Sequence, residues 1–143
     1  MAIKQLSIFV ENKAGKIVEV TELLAKNSID LRALSIADTQ DYGIVRAIVD
    51  DIEKAKTILE ENGNIYKITE VIGVEIPDVP GGMSKVLSVL SDNGVNIEYV
   101  YAFISRSKDY AYVVLRVRDN EKAEKILLDN GVNLIDESEI KNI

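Results

Sequence analysis

The stretch EKAKTILEENG at Glu53–Gly63 returns as EKAEKILLDNG at Glu121–Gly131, 68 positions later. A second pair of segments has the same offset, since DYGIVRAIV at Asp41–Val49 returns as DYAYVVLRV at Asp109–Val117. Similar strings at one constant offset indicate an internal duplication, which decides how the rest of a chain is interpreted. The chain of 143 residues therefore consists of two copies of one unit.

A third pair of segments aligns the N-terminal halves of the copies. NKAGKIVEVTELLAKNSIDL at Asn12–Leu31 matches DVPGGMSKVLSVLSDNGVNI at Asp78–Ile97 with an offset of 66. The second copy thus has two extra residues, which fall in the turn SRSKD (Ser105–Asp109), where a longer loop costs little. No Pro-rich or Ser-rich linker occurs near Glu70, so we expect two closely docked domains at residues 1–70 and 71–143.

Hydrophobic periodicity gives the same order of elements in each copy. Apolar residues alternate over Ile3–Val10, as in a strand, and then recur at helical spacing from Ile17 to Leu24. Two more strands, a helix capped by Asp51 and a short strand near Tyr66–Thr69 follow. The corresponding features of the second copy are the strand Ile72–Ile76, the helix stripe Met83–Leu90, the cap Asp119 and a last strand near Leu134–Asp136. This βαββαβ order predicts an α+β protein of two tandem ferredoxin-like domains, each an antiparallel sheet with both helices on one face.

The composition excludes several classes of function. The chain has no His and no Cys, so the usual general base, the thiolate nucleophile and the common zinc ligands are missing. Its 24 Asp and Glu residues show no metal-ligand spacing and are typical of a solvated surface. A net charge of −7 argues against nucleic acid, which is bound through basic patches. We expect a non-enzymatic protein with no cofactor, no metal and no nucleic-acid partner.

The sequence also bears on location. The apolar runs are far shorter than the roughly 20 residues that span a bilayer. The start MAIKQLS lacks the basic and apolar regions of a signal peptide, and the absence of Cys fits a reducing compartment. We expect a cytoplasmic protein without a membrane partner.

The junction between the first strand and the first helix resembles that of the ACT domain, an amino-acid-binding regulatory module of biosynthetic enzymes. The ACT pattern places Asp or Asn and then Pro-Gly in this loop, an apolar residue soon after, and Asn-Ile at the second strand. The resemblance covers nearly all of the chain as two tandem domains, similar to acetohydroxyacid synthase small-subunit-like proteins. The first copy departs from the pattern at Ala14 and Asp30. The matching positions are Asp78, Pro80, Gly81, Met83, Asn96 and Ile97 in the second copy and Asn12, Gly15, Ile17 and Leu31 in the first.

The resemblance implies a site for a small amino acid where the loop of one domain meets the second strand of a neighbour. A helix N-terminus attracts a carboxylate, glycines let a ligand approach the backbone, and an Asn offers both a donor and an acceptor. The resemblance further implies a regulatory role towards a partner biosynthetic enzyme. The candidate ligand-binding residues are Asp78, Pro80, Gly81, Gly82, Met83, Asn96 and Ile97, with Asn12, Gly15, Lys16, Ile17, Asp30 and Leu31 in the first copy.

A purely structural interpretation of the same loop stands beside this one. Pro-Gly-Gly also makes a tight turn, Asp78 or Asn12 could cap the helix, and Asn96 could simply begin a strand. The second copy keeps the whole pattern, so we expect the better-preserved site there. In the first copy, Asp30 could pair with a ligand ammonium or mark a site that has lapsed.

An aromatic pattern suggests an interface. Tyr99, Tyr101 and Phe103 alternate along the second strand, and with Tyr110 and Tyr112 they would share the helix-free face of the sheet. A large exposed aromatic patch is unusual on a monomer, so we expect packing between repeats or between subunits of a homodimer. The alternative is a register one residue different, which would put these aromatics in the core.

Three other functions share this topology or follow from this face. RNA-recognition motifs stack bases on open-face aromatics, but the third strands lack the Lys/Arg-Gly-Phe signature and each copy is acidic. An acylphosphatase would need an Arg-plus-Asn phosphate loop at the first turn, which is absent. An oligomerising adaptor that binds no effector remains the main alternative to an effector-binding regulator.

Overall fold

The computed structural model describes residues 2–143, which form two compact units. The first unit is Lys4–Thr69, and the second is Glu70–Ile143 together with Ile3. The elements of the first are β1 (Ile3–Glu11), α1 (Lys16–Lys26), β2 (Leu31–Asp38), β3 (Tyr42–Val49), α2 (Ile52–Glu61) and the start of β4 (Ile65–Pro77). Those of the second are the rest of β4, α3 (Gly82–Asp92), β5 (Tyr99–Ala102), β6 (Tyr110–Arg116), α4 (Asn120–Asp129), β7 (Asn133–Ile135) and a 3₁₀ helix over Glu137–Asn142.

The sheet of the first unit is antiparallel, with β3 between β1 and β2. Ala47 lies opposite both Leu6 and Leu34, so these three residues form one row across the sheet. One face of this sheet buries its apolar side chains against both helices. The core consists of Leu6, Ile8 and Val10 from β1, Val45, Ala47 and Val49 from β3, Val20 and Leu24 from α1, and Ala55, Ile58 and Leu59 from α2.

The second unit repeats this arrangement with strand order β5-β6-β4-β7. Leu115 lies opposite Ile72 on one side and Val100 on the other. Its core joins Ile72, Val74 and Ile76 of β4 to Val86 and Leu90 of α3 and to Ala123 and Leu127 of α4. Each fully buried aliphatic side chain of this kind contributes about 1.5–3 kcal/mol to folding. Both units therefore have the predicted plan, a sheet with both helices on one face.

The predicted caps of the second helix in each copy are confirmed. Asp51 accepts a hydrogen bond from the backbone N–H of Lys54 at 3.1 Å, and Asp119 accepts one from Lys122 at 3.1 Å. These bonds satisfy N–H groups that have no partner inside the helix.

The structure differs from the sequence-based expectation at two places. β4 is one continuous strand of 13 residues, where a short last strand and a separate first strand were predicted. No turn-forming residue interrupts the chain between Thr69 and Ile72, so nothing ends the strand there. The 3₁₀ helix was not predicted, and a capping box between Asp136 and Glu139 begins it.

No helix within residues 2–143 has both the length and the hydropathy needed to cross a bilayer.

Candidate functional site

The loop between β4 and α3 is held by its own backbone. The N–H of Asp78 donates to the carbonyl of Asp109 at 3.0 Å, which ties the loop to the start of β6. The N–H of Val79 donates to Pro77, and the N–H of Gly82 donates to Val79. These bonds make a tight turn from the end of the strand into the helix.

Glycine is required at each of the two glycine positions of this loop, for a different structural reason. Gly81 has φ +86°, a left-handed conformation that L residues with a side chain seldom adopt. A Cβ on Gly82 would overlap the carbonyl oxygen of Pro77, so no larger residue fits there without movement. In the first copy Gly15 keeps the left-handed conformation at φ +87°, but Lys16 stands at the position of Gly82. The second loop is therefore the more closely packed one.

Neither loop caps its helix with a side chain. Gly15 and Gly81 are the N-cap residues of α1 and α3, and neither helix has a side-chain cap hydrogen bond. The interpretation of Asn12 and Asp78 as caps is therefore wrong. Asn12 instead donates through Nδ2 to the carbonyl of Thr39 at 3.2 Å, and Asp78 has no side-chain hydrogen bond within residues 2–143. The N–H groups of Lys16 and Gly82 donate to backbone carbonyls, whereas the first-turn N–H groups after them have no side-chain acceptor and can take an anion.

Four of the apolar candidates contribute to packing. They are partly buried against the hydrophobic cores of their units. Each therefore has a structural role whether or not it also contacts a ligand. These residues are Ile17 and Leu31 in the first unit and Met83 and Ile97 in the second.

Asn96 lines a small cavity of about 190 Å³ near the start of α4. Two cationic residues, Arg118 and Lys122, line the same cavity, together with the carboxylate of Asp119, which already accepts from the backbone N–H of Lys122. Arg118 also lies 3.6 Å from the carboxylate of Glu98, measured from Nε to Oε1. An amide beside two cations favours a carboxylate. Sequence reasoning missed Arg118 and Lys122, although they flank the predicted cap Asp119, Arg118 just before it and Lys122 in the first turn of α4.

The loop candidates and Asn96 line separate cavities of the second unit. Pro80, Gly81 and Gly82 line a cavity of about 410 Å³ that also reaches the turn after α4. Asn96 is in the cavity described above and does not line this one. The second unit by itself therefore does not bring the two halves of the expected site together.

The corresponding region of the first unit is acidic. The Asp30 carboxylate lies 3.1 Å from the guanidinium of Arg32, whose side chain is only 6% exposed. The backbone N–H of Asp30 donates to the Asp50 carboxylate at 2.9 Å. Asp50 stands at the repeat position of Arg118, so a negative group replaces a positive one. A carboxylate ligand is therefore less favoured beside Asp30 than beside Asn96.

Strand register decides the position of the aromatic residues. Tyr99 lies opposite Arg116 and Tyr101 opposite Val114, on the sheet face away from the core residues Val113 and Leu115. Pairing with β4 places Tyr110 and Tyr112 on that same helix-free face. The Tyr99 and Tyr101 rings stack with centroids 6.3 Å apart. The alternative in which a shifted register makes the aromatics core residues is therefore wrong for these four tyrosines.

Two of these aromatic positions have further contacts. Phe103 lies beyond the end of β5, is buried, and donates its N–H to the carbonyl of Tyr112 at 2.8 Å. The Tyr112 hydroxyl donates to the Glu75 carboxylate at 3.1 Å. Burial, together with this bond to a carboxylate, raises the pKa of the Tyr112 phenol.

Within residues 2–143, no group of three or more His, Cys, Asp or Glu side chains is arranged to hold a metal ion.

Comparison with known proteins identifies the family to which the chain belongs. The family model described as the ACT domain pair matches residues 1–143. Protein BT0572 from Bacteroides thetaiotaomicron is 44% identical, with a TM-score of 0.92, over 100% of this chain and 98% of that one. No curated protein matches the chain.

Two more distant structures share the fold. The ligand-free regulatory subunit of aspartate kinase from Thermus thermophilus is 18% identical, with a TM-score of 0.65, over 90% of this chain and 91% of that one. The regulatory subunit of aspartate kinase from Thermus flavus is 18% identical, with a TM-score of 0.61, over 87% and 88% of the two chains. The match of the family model over the whole length, together with the 44% identical structure, shows that the chain belongs to the ACT domain pair family and consists of two tandem ACT-type domains.

Proposed function

We propose that this protein is a non-catalytic regulator that binds a small amino acid or a similar carboxylate effector and modulates a partner enzyme. The observation that carries the proposal is the cavity where Asn96 meets Arg118 and Lys122, because an amide and two cations suit a carboxylate. The one carboxylate in the lining, Asp119, is engaged as the cap of α4. Membership of the ACT family and the regulatory subunits among its structural relatives support it.

The effector site is completed by a neighbouring domain. Within the second unit, the loop residues Val79–Gly82 and the strand start at Asn96 line different cavities, so each provides half of a site. In a homodimer, the loop of one subunit would meet the Asn96 region of its partner, and the domains 1–70 and 71–143 would respond to the ligand. An effector of this kind shifts the activity of a partner through a coupling of typically about 1–3 kcal/mol.

A thermal-shift screen of the proteinogenic amino acids at millimolar concentration tests the proposal, with calorimetry on any hit. At least one amino acid should raise the Tm, because a ligand that binds only the folded state stabilises it. Asn96→Ala should abolish the rise. Asp30→Ala, at the repeat position of Asn96, is the matched control and should keep it. If no amino acid stabilises the wild-type protein, amino-acid sensing is excluded.

A second candidate function, an oligomerising adaptor without effector, is favoured by the stacked pair Tyr99 and Tyr101 on the helix-free face. Tyr101→Glu would place a charge in an aromatic interface and should reduce the solution mass measured by light scattering. An unchanged mass would show that this face is not an interface. Asn96→Ala should leave the mass unchanged under both functions, so the two variants separate assembly from ligand binding.

A further inference from the structure

The four α-helices within residues 2–143 all end in the same arrangement of hydrogen bonds around an asparagine. The Nδ2 of each asparagine donates to the backbone carbonyl four residues earlier at 2.8–2.9 Å. The residue after it has a positive φ, and its N–H donates to the carbonyl three residues earlier at 3.0–3.1 Å. This is a Schellman end, in which the last carbonyls of the helix find donors. The C-cap residues are Asn27, Asn62, Asn93 and Asn130.

Three of these asparagines precede a glycine: Asn62, Asn93 and Asn130. Asn-Gly is the pair of residues most prone to spontaneous deamidation, because glycine has no side chain to hinder the closure of a ring. In this reaction the backbone nitrogen of the glycine attacks Cγ of the asparagine, the Cγ–Nδ2 bond breaks, and ammonia leaves with the proton of the N–H. Water then opens the five-membered succinimide at either carbonyl, which gives aspartate or isoaspartate.

The folded helix end opposes this reaction in three ways. The glycine N–H, which carries the attacking nitrogen, donates to a carbonyl, and the leaving Nδ2 donates to another. The ψ angle of the asparagine lies between +10° and +15° in the three pairs, which turns the glycine nitrogen away from the asparagine side chain. The ring can therefore close only after the helix end opens, so the ease of local opening sets the rate.

Two of the three pairs lie in the same pentapeptide. Asp92–Asn96 and Asp129–Asn133 both have the sequence DNGVN, so the residues that flank the two asparagines are identical. Both asparagines and both glycines are exposed. The reactivity of Asn93 and Asn130 in the unfolded chain is therefore expected to be equal, and a difference in the folded protein must come from its structure.

The structure around the two pentapeptides differs at their last residue. Asn133 begins β7, lies opposite Glu75 in the sheet, and donates through Nδ2 to the Glu75 carboxylate at 3.0 Å. Asn96, the corresponding residue, lies in an irregular segment before β5, and its side chain makes no hydrogen bond within residues 2–143. The chain after Asn130 is thus fixed to the sheet at a point where the chain after Asn93 is not. The end of α3 should therefore open more readily than the end of α4.

We propose that Asn93 is a deamidation site of the folded protein and that the identical pentapeptide at Asn130 is protected by its strand. The product weakens the helix end further, because a carboxylate cannot donate to the carbonyl of Val89 as Nδ2 does. It also puts a negative charge at the C-terminal end of α3, where the helix dipole disfavours one. Gly94 lines the cavity of Asn96, so the modification alters that cavity as well. None of these steps depends on whether the protein binds an effector.

Peptide mapping by mass spectrometry tests the proposal on the full-length chain, incubated in its folded state in mildly alkaline buffer. Trypsin places the two sites in different peptides, because it cleaves after Lys85 and after Lys125. A parallel incubation in urea gives the rate of each site in the unfolded chain, and division by this rate removes remaining effects of sequence. The normalised rate at Asn93 should exceed that at Asn130 at least threefold, while the two rates in urea agree within twofold.

A matched pair of variants tests the role of the strand. Asn133→Ala removes the hydrogen bond to Glu75 and should raise the normalised rate at Asn130 at least twofold without changing that at Asn93. Asn96→Ala, at the repeat position, is the control and should change neither rate.

NMR of the aged, ¹⁵N-labelled protein shows where the modification acts. New amide signals should appear for Gly94 and Asn96, and those of the aspartate product should coincide with the signals of Asn93→Asp. The signal of Gly131 should stay in place. Unaltered signals of Gly94 and Asn96 in deamidated protein would contradict the effect on the cavity.

Three results of the peptide mapping would overturn Asn93 as the site. They are equal normalised rates at the two asparagines, a faster rate at Asn130, and no conversion at Asn93 in the folded chain over a period in which the urea sample converts. An unchanged rate at Asn130 in Asn133→Ala would overturn the protection by β7.

Discussion

Gly82 lies against the carbonyl oxygen of Pro77 so closely that a Cβ on Gly82 would overlap this oxygen. The contact joins the end of β4 to the first residue of α3 and fixes where the helix begins. In the first copy Lys16 occupies the same position and carries a side chain. The two loops thus differ in packing although the backbones around them follow one plan.

Gly82→Ala should destabilise the protein by about 1–3 kcal/mol, because the overlapping atom belongs to the backbone and cannot rotate away. Urea denaturation measures the change in the free energy of unfolding. Lys16→Ala at the repeat position is the control and should change it by less than about 0.5 kcal/mol. Equal effects of the two substitutions would show that the backbone moves away from the added Cβ without a loss in the free energy of unfolding.

Ser28 is the non-glycine residue with positive φ, at +58°, within residues 2–143. Gly94 has the equivalent place in the second copy, with φ +73°. Ser28→Gly should therefore raise the free energy of unfolding by up to about 1 kcal/mol, because glycine adopts this conformation without the steric cost that serine bears. Gly94→Ser should lower it by a similar amount. Thermal denaturation of both variants tests the pair, and shifts of the same sign would contradict the prediction.

The hydrogen bonds at the start of the C-terminal 3₁₀ helix should weaken at acid pH. Hydrogen bonds from the hydroxyl and the backbone N–H of Ser138 lower the pKa of Asp136 from its ordinary value of 3.8. A carboxylate with a lowered pKa in the folded state contributes fully above the unfolded pKa, and this contribution is lost as the pH falls through the folded value. The Ser138 amide signal should therefore titrate below pH 3.8 in NMR. In Asp136→Asn that titration should be absent, and a midpoint above 3.8 in the wild type would contradict the assignment.

The sequence predicted the fold almost completely because its signals are local and occur twice. Alternation along β1 and β4, helical stripes and the caps Asp51 and Asp119 each depend on a few neighbouring residues, and the repeat confirmed each one against its counterpart. The 3₁₀ helix was missed because the capping box at Asp136 is followed by too few residues to show a period.

The candidate site was less predictable, since its properties depend on residues that are distant in sequence. Arg118 and Lys122 reach the cavity of Asn96 only because α4 begins beside the start of β5. The close approach of Gly82 to the carbonyl oxygen of Pro77 depends on a backbone path that no residue pattern specifies. The loop motifs located the region of the site in the sequence, but the charged residues around it could be identified only from the folded structure.

Exchanging Asn96 and Asp30 tests whether local charge makes the two copies different. Asn96→Asp keeps the shape of the side chain but adds a negative charge beside Arg118 and Lys122. It should weaken binding of any carboxylate effector at least tenfold, while the free energy of unfolding stays within about 0.5 kcal/mol of wild type. Asp30→Asn should instead change stability and not affinity, because it removes the carboxylate that pairs with the buried guanidinium of Arg32. We expect a loss of about 1–2 kcal/mol in stability with unchanged effector affinity. Calorimetry and urea denaturation on both variants measure the two quantities, and equal loss of affinity in both would show that the copies share one effector chemistry.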